Sequence, residues 1–190
     1  MRSHIIPRHS IRSLAAVLLI CMIAPAAVAS GEDNPLSANN KAVYRGLKAI
    51  LLRSAEIVPE EHYAFKPTEA VRSFGQIVGH IADSQYVFCS IVLSEKNPAP
   101  KVEKTQTSKA TLIAALRDSF AYCDKAYDGM TDASAPQMLK FHGTDMPKLG
   151  VLMVNNVHTT EHYGNLITYM RMKNIVPPTS DPAFMQQPQK

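Results

Sequence analysis

Four stretches of this chain repeat apolar residues at intervals of three and four, and each is closed by proline or glycine. Tyr44, Leu47, Leu51, Ser54, Ala55 and Val58 set the first, so a helix is predicted from Ala38 to about Val58, capped by Ser37 and stopped by Pro59. The second starts near Arg72 or Ser73 and runs through FGQIVGHIADSQYVFCSIV. Ser108 caps the third, whose stripe is Leu112, Ala115, Leu116, Ser119, Phe120, Cys123, Ala126 and Tyr127, and Gly129 ends it. The fourth begins near Pro147 and ends at Asn174, before Pro177 and Pro178. No strand alternation, internal repeat or glycine-rich phosphate loop is found. Four helices of about 20 to 27 residues bury their apolar faces best in an all-α four-helix bundle. The connector Ser94 to Thr107 reaches about 46 Å when extended, further than a helix of about 30 Å. It lets the chain return along the bundle and sets the second and third helices parallel, an up-down-down-up order.

The beginning of the chain has a different character. Arg2, Arg8 and Arg12 precede the apolar run SLAAVLLICMIA, and Ala27-Val28-Ala29 follows it. This is the pattern of an export signal at residues 1–29, cleaved after Ala29; the run falls short of the ~20 residues of a spanning helix. Lipid attachment at Cys21 fits poorly, because the bulky Ile20 precedes it. The expected mature domain is 30–190, periplasmic or secreted, with no membrane anchor after cleavage. Removing three arginines and no acid leaves 17 basic against 16 acidic residues, so no basic face speaks for a nucleic-acid partner. A domain of this size buries a sufficient core without metal or disulfides, so any metal is functional. Cys89 and Cys123 are the two cysteines that remain. Cys89 stands about 180° from His80 on its helix, while Cys123 lies on a core stripe. Their side chains are expected to diverge, with no obligatory disulfide.

His158 and His162 lie four residues apart on the fourth helix and share a face with Val151, Val154, Asn155, Asn165, Tyr169 and Met172. Such a pair can grip a divalent ion; the ordinary alternative is a pair of satisfied core histidines. A catalytic site of the zinc type commonly takes three protein ligands. His62 and His142 fall in segments rich in turn residues, which leaves His80 as the best third ligand. Gln76, Asp83 and Ser84 lie near His80 on an otherwise apolar helix, whose opposite side, with Ala82, Tyr86, Cys89 and Leu93, needs cover from a homodimer contact or the C-terminal tail. The tail itself, TSDPAFMQQPQK, reads as loose. His158 to His162 also fits H-x-x-E-H, the signature of inverted zinc peptidases, but no Glu follows His162 to complete that ligand set. Glu161 flanks the pair, either as a general base or in an ion pair with a neighbouring helix.

His80 in GHIADSQ, followed by HTTEHYGNLITYMRMKNIVPP, resembles the DinB/YfiT-like superfamily of four-helix metalloenzymes, which carry one His on the second helix and H-x-x-x-H on the fourth. The resemblance spans Ser37 to Pro178. It implies that His80, His158 and His162 bind a divalent metal, zinc or nickel, with water completing the sphere. Gln76, Asp83, Asn155 and Asn165 are the candidates to accept the other N–H of the imidazoles, and Tyr169 to line the pocket. The activity implied is that of a metal-dependent hydrolase or transferase using the bound water on a small-molecule substrate. Some members use cytoplasmic thiols such as bacillithiol or mycothiol, which an exported protein does not meet. The alternative is a non-catalytic metal-binding or scaffold bundle. An open coordination position at the bottom of a pocket separates the two.

Overall fold

α1 begins three residues earlier than its sequence signals suggest, at Pro35, and runs to Ile57. The reason is long-range: Asp132 accepts from the amides of Leu36 and Ser37 and from the Ser37 hydroxyl, so a carboxylate from a distant loop serves the helix N-terminus. The computed structural model describes Met1 and residues 34–186. The chain divides into two units, Met1–Ser30 and Gly31–Lys190, and the second holds the helices and the hairpin. Apart from Met1, the export signal expected at residues 1–29 lies outside the described residues.

Three more long helices follow: α2 Phe74–Leu93, α4 Lys109–Asp128 and α5 Lys148–Met172. Ser73 and Gln76 form a reciprocal capping box at the start of α2, and Ser108 caps α4 as expected. The connector between α2 and α4 is not featureless, since Val102–Thr105 form a short helix, α3.

Cross-contacts fix the helix directions. Lys41 pairs with Asp128, and Lys109 donates to the carbonyls of Glu56 and Val58, so α1 and α4 run antiparallel. Gly75 lies against Leu112 and Cys89 is bonded to Cys123, so α2 and α4 run in the same direction. Tyr169 reaches the Arg72 carbonyl while Asn155 reaches Gln85, which makes α5 antiparallel to α2.

α2 is consequently packed on opposite sides, by α5 on its histidine side and by α4 on the other. This placement corrects two expectations. The apolar back of α2 is covered by α4, through contacts such as Tyr86 on Tyr122, rather than by the tail. It also brings the cysteines together: Cys89 faces α4 because it points away from His80, and Cys123 on the core stripe of α4 points back at it. The two form a disulfide with a Cα–Cα distance of 5.3 Å. The core stripe of α4 thus faces the back of α2 and not its histidine side.

Two further corrections concern the second half of the chain. Met138–Phe141 and Thr144–Pro147 pair as antiparallel strands β1 and β2, so the fold is mostly helical rather than all-α. Their two-residue turn, His142-Gly143, has positive φ at both positions (48° and 82°), the backbone that suits a tight hairpin. The tail is also ordered as far as residue 186. Tyr163 hydrogen-bonds Thr179, Arg171 donates to Ser180, Pro177 and Pro178 are buried, and Asp181 caps a last short helix, α6 Pro182–Met185.

A polar chain crosses the interior. Asn156 donates to Asn40 of α1 and accepts from Tyr127 of α4, Asn155 donates to Tyr127 and to Gln85 of α2, and Gln85 donates to Thr159 of α5. Gln85 and Asn155 are fully buried, so each bond satisfies a group that water cannot reach.

Peptide mapping of the unfolded, unreduced protein should recover Cys89 and Cys123 in one linked fragment. For a sequence separation of 34, loop entropy gives the bond a stabilisation of about 4 kcal/mol, to be lost on reduction. Alkylation of either cysteine without reductant would contradict the fold as described.

Candidate metal centre

His158 and His162 project from α5 toward α2, and His80 projects from α2 to meet them. The Nε2 atoms of His80 and His158 lie 3.3 Å apart and those of His162 and His158 3.1 Å apart. His162 is buried, and the other two rings are half-buried. Behind His158 the Phe88 ring packs at 5.4 Å, and Phe88 in turn stacks on Phe141 at 5.6 Å. The hairpin therefore backs the centre through Phe141.

The connector supplies the neighbour of His80 that the sequence did not disclose. Glu103 Oε2 lies 3.2 Å from His80 Nδ1, and Glu103 Oε1 accepts from Arg72 Nε at 2.8 Å. Two features hold Glu103 there. Asp83 accepts from the amides of Val102 and Glu103 at 2.8 and 3.0 Å, pinning the first turn of α3 onto α2. Gly79 makes the approach possible, since a Cβ at that position would stand 2.8 Å from Glu103 Cα and 2.9 Å from its nitrogen. Burial pushes the Glu103 carboxyl up, but the hydrogen bond and charge of Arg72, followed by His80, outweigh it and the carboxyl is held below its ordinary range. It stays an anion and accepts the His80 Nδ1 proton, which leaves the Nε2 lone pair directed at the other two histidines.

The three rings suit a cation better than one another. Each ring nitrogen in a hydrogen bond must be either donor or acceptor, so three Nε2 lone pairs turned to one point repel unless something positive lies between them. Burial pushes His158 and His162 down, His162 to about 4, and the neighbouring histidines push the same way. Both are neutral at pH 7, the form that ligates. Among the described residues Nδ1 of His158 and of His162 has no hydrogen-bond partner, which leaves their tautomers free to place a lone pair on Nε2. His80, His158 and His162 together can hold a metal ion.

The other residues singled out in the sequence go elsewhere. Gln76 gives its Oε1 to the Ser73 amide in the capping box. Asp83 spends both oxygens on α3 and Asn155 bonds within the buried polar chain, so neither meets an imidazole. Asn165 and Tyr169 line a cavity beside His162, together with Gln76, Arg72 and Glu103. Glu161 is exposed and does not line this cavity; its charge acts on His158 against the effect of burial. His62 and His142 are not part of the cluster that His80, His158 and His162 form.

Residues 45–166 match the family model of the DinB superfamily, a span that contains the three histidines and Glu103. The uncharacterized protein YjoA of Bacillus subtilis (strain 168) is 27% identical over 121 residues, which are 62% of this chain and 77% of that protein. Among solved structures, a DinB-like protein from Bacillus cereus ATCC 10987 superposes with a TM-score of 0.66, at 18% identity, over 74% of this chain and 95% of its own. The DinB-like YjoA structure from Bacillus subtilis gives 0.56 at 20% identity, over 74% and 92%. At these identities the structural likeness bears on the fold alone.

His158→Ala and His162→Ala should each abolish stoichiometric divalent metal, measured by elemental analysis of tag-free protein, with the helical circular dichroism unchanged. Glu103→Ala should weaken metal affinity by about 10- to 100-fold. Full metal content in both histidine variants would leave the rings as packing only.

The metal-free protein should also report the buried imidazoles through pH. An unfolded histidine titrates near 6.5, and His162 in the fold near 4. The native state thus binds fewer protons between these values, and stability falls as pH drops through that window. Arg72 adds to the repulsion of a protonated His162 and Glu103 opposes it. Thermal melts with chelator present should show a fall in midpoint from pH 6.5 to 4 that flattens in His162→Ala.

Proposed function

Because the chain belongs to the DinB superfamily and turns three imidazole nitrogens toward one point, we propose that it is a divalent-metal-dependent hydrolase or transferase. The observation that carries this reading is the convergence of His80, His158 and His162 beside a cavity of about 570 Å³ that His162 and Glu103 line. A closed structural site has no such approach, whereas a catalytic one keeps a side open to substrate. Zinc or nickel suits a set of three neutral imidazoles. The bound ion would supply Lewis acidity and lower the pKa of a coordinated water. The chain's own part is to hold the three rings neutral by burial, to fix His80 through Glu103, and to place the substrate in the cavity.

The compartment belongs to the same proposal. The basic, apolar and small-residue pattern over residues 1–29 supports export, and the disulfide between Cys89 and Cys123 suits an oxidising environment. Among the described residues no helix is long and apolar enough to cross a membrane. A transferase acting with a cytoplasmic thiol fits this setting poorly, so hydrolysis is the favoured chemistry.

Protein produced with its leader should be recovered from the periplasm or medium with Ser30 at its N-terminus. Loaded with zinc or nickel, it should turn over members of a hydrolase substrate panel at rates that His158→Ala reduces to background. Turnover equal in the loaded protein and the variant would sink the enzyme reading.

A further inference from the structure

The cavity at the centre contains an imbalance between hydrogen-bond donors and acceptors. Both oxygens of Glu103 are occupied, one by Arg72 and one by His80. Glu69, the other acid on the wall, pairs with Lys66 and its side chain is 94% exposed. The Gln76 carbonyl oxygen is taken by the Ser73 amide, and the Tyr169 hydroxyl donates to the Arg72 carbonyl. The unspent groups are the two terminal nitrogens of Arg72, the amide nitrogen of Gln76 and the amide of Asn165, none of which bonds to another described residue. Three of these four are donors, and the fourth contributes donors as well as an acceptor.

We propose, on the reading of the centre given above, that this cavity binds an anionic oxygen group of the substrate, a carboxylate or phosphate, in the fork of Arg72. The guanidinium is already oriented, because its Nε is committed to Glu103 and its two outer nitrogens remain to meet a pair of oxygens side by side. Gln76 and Asn165 stand on the same wall to complete the contact. Arg72 and His80 hold opposite oxygens of one carboxylate, so the guanidinium and the histidine cluster share Glu103 as a common neighbour. A substrate anchored by its acidic group would carry its reacting atoms to the three histidines. Such anchoring turns a diffusive encounter into a fixed geometry, which is how remote binding groups aid reaction.

The test uses the full mature protein, both metal-loaded and chelator-treated, titrated by calorimetry at constant ionic strength with inorganic phosphate in one arm and succinate in the other. Metal content is measured in parallel on every sample. At least one anion is expected to bind both forms. Arg72→Gln should weaken that binding at least tenfold, and Asn165→Ala by a smaller factor. The stronger arm identifies the acidic group. No binding of either anion at tens of millimolar would overturn the anion site, as would affinity unchanged by Arg72→Gln. Wild-type protein that holds no metal yet binds anion through Arg72 would overturn the metal reading and leave this site standing.

Discussion

A line of buried amides and one phenol crosses the bundle about one turn from the histidines, and the alignment of the helices depends on it. Apolar side chains alone tolerate sliding of one helix along another, since leucine packs nearly as well one notch further on. Asn156 on Asn40, Tyr127 on Asn156 and Asn155 on Gln85 do not tolerate it, because a shift by one turn would strand buried donors and acceptors at a cost of about 1–3 kcal/mol each. Asn155 and Gln85 stand three residues from His158 and five from His80, so the same bonds that set the register of α2 against α5 bring their histidines level. The centre inherits its geometry from a network that never touches it.

What the sequence discloses and what it hides follow from the range of the interactions involved. The long helices were legible because their burial repeats every three or four residues within one local stretch, and the His158–His162 pair because both ligands sit on one helix. His80 could be found by elimination. Glu103 could not, since it sits in a polar connector without apolar period, and its role arises from contacts with residues 20 and 23 positions away. A faint sign was present in Gly79 beside His80, a glycine inside a helix where one neighbouring backbone must pass closely. The hairpin escaped because its strands have four residues each and are mostly exposed, leaving no alternation to read. The cysteines were misjudged because azimuth on an isolated helix does not say which neighbour lies on each side.

Position also explains why polar residues near the centre serve different ends. Asp83 and Gln76 share a helix face with His80, yet both are used by the backbone, one for α3 and one for the N-terminus of α2. Backbone amides without partners compete strongly for nearby acceptors, and the imidazole is then served by a carboxylate from outside the helix. Arg72 ties that carboxylate to the cavity wall, so one ion pair belongs at once to the histidine cluster and to the space in front of it.

The connector that carries Glu103 lies inside the loop closed by Cys89 and Cys123, with consequences for the order of assembly. The carboxylate is 23 residues from His80, whereas His158 is 78 residues away. Short loops close at lower entropic cost than long ones, so α2, α3 and α4 can come together as a unit before α5 arrives. In that partly folded chain His80 already has its acidic neighbour but only one of three ligands is in place. The set of three imidazoles is therefore complete only once α5 has docked, 78 residues along the chain from His80, so the centre is a product of the assembled bundle rather than its nucleus.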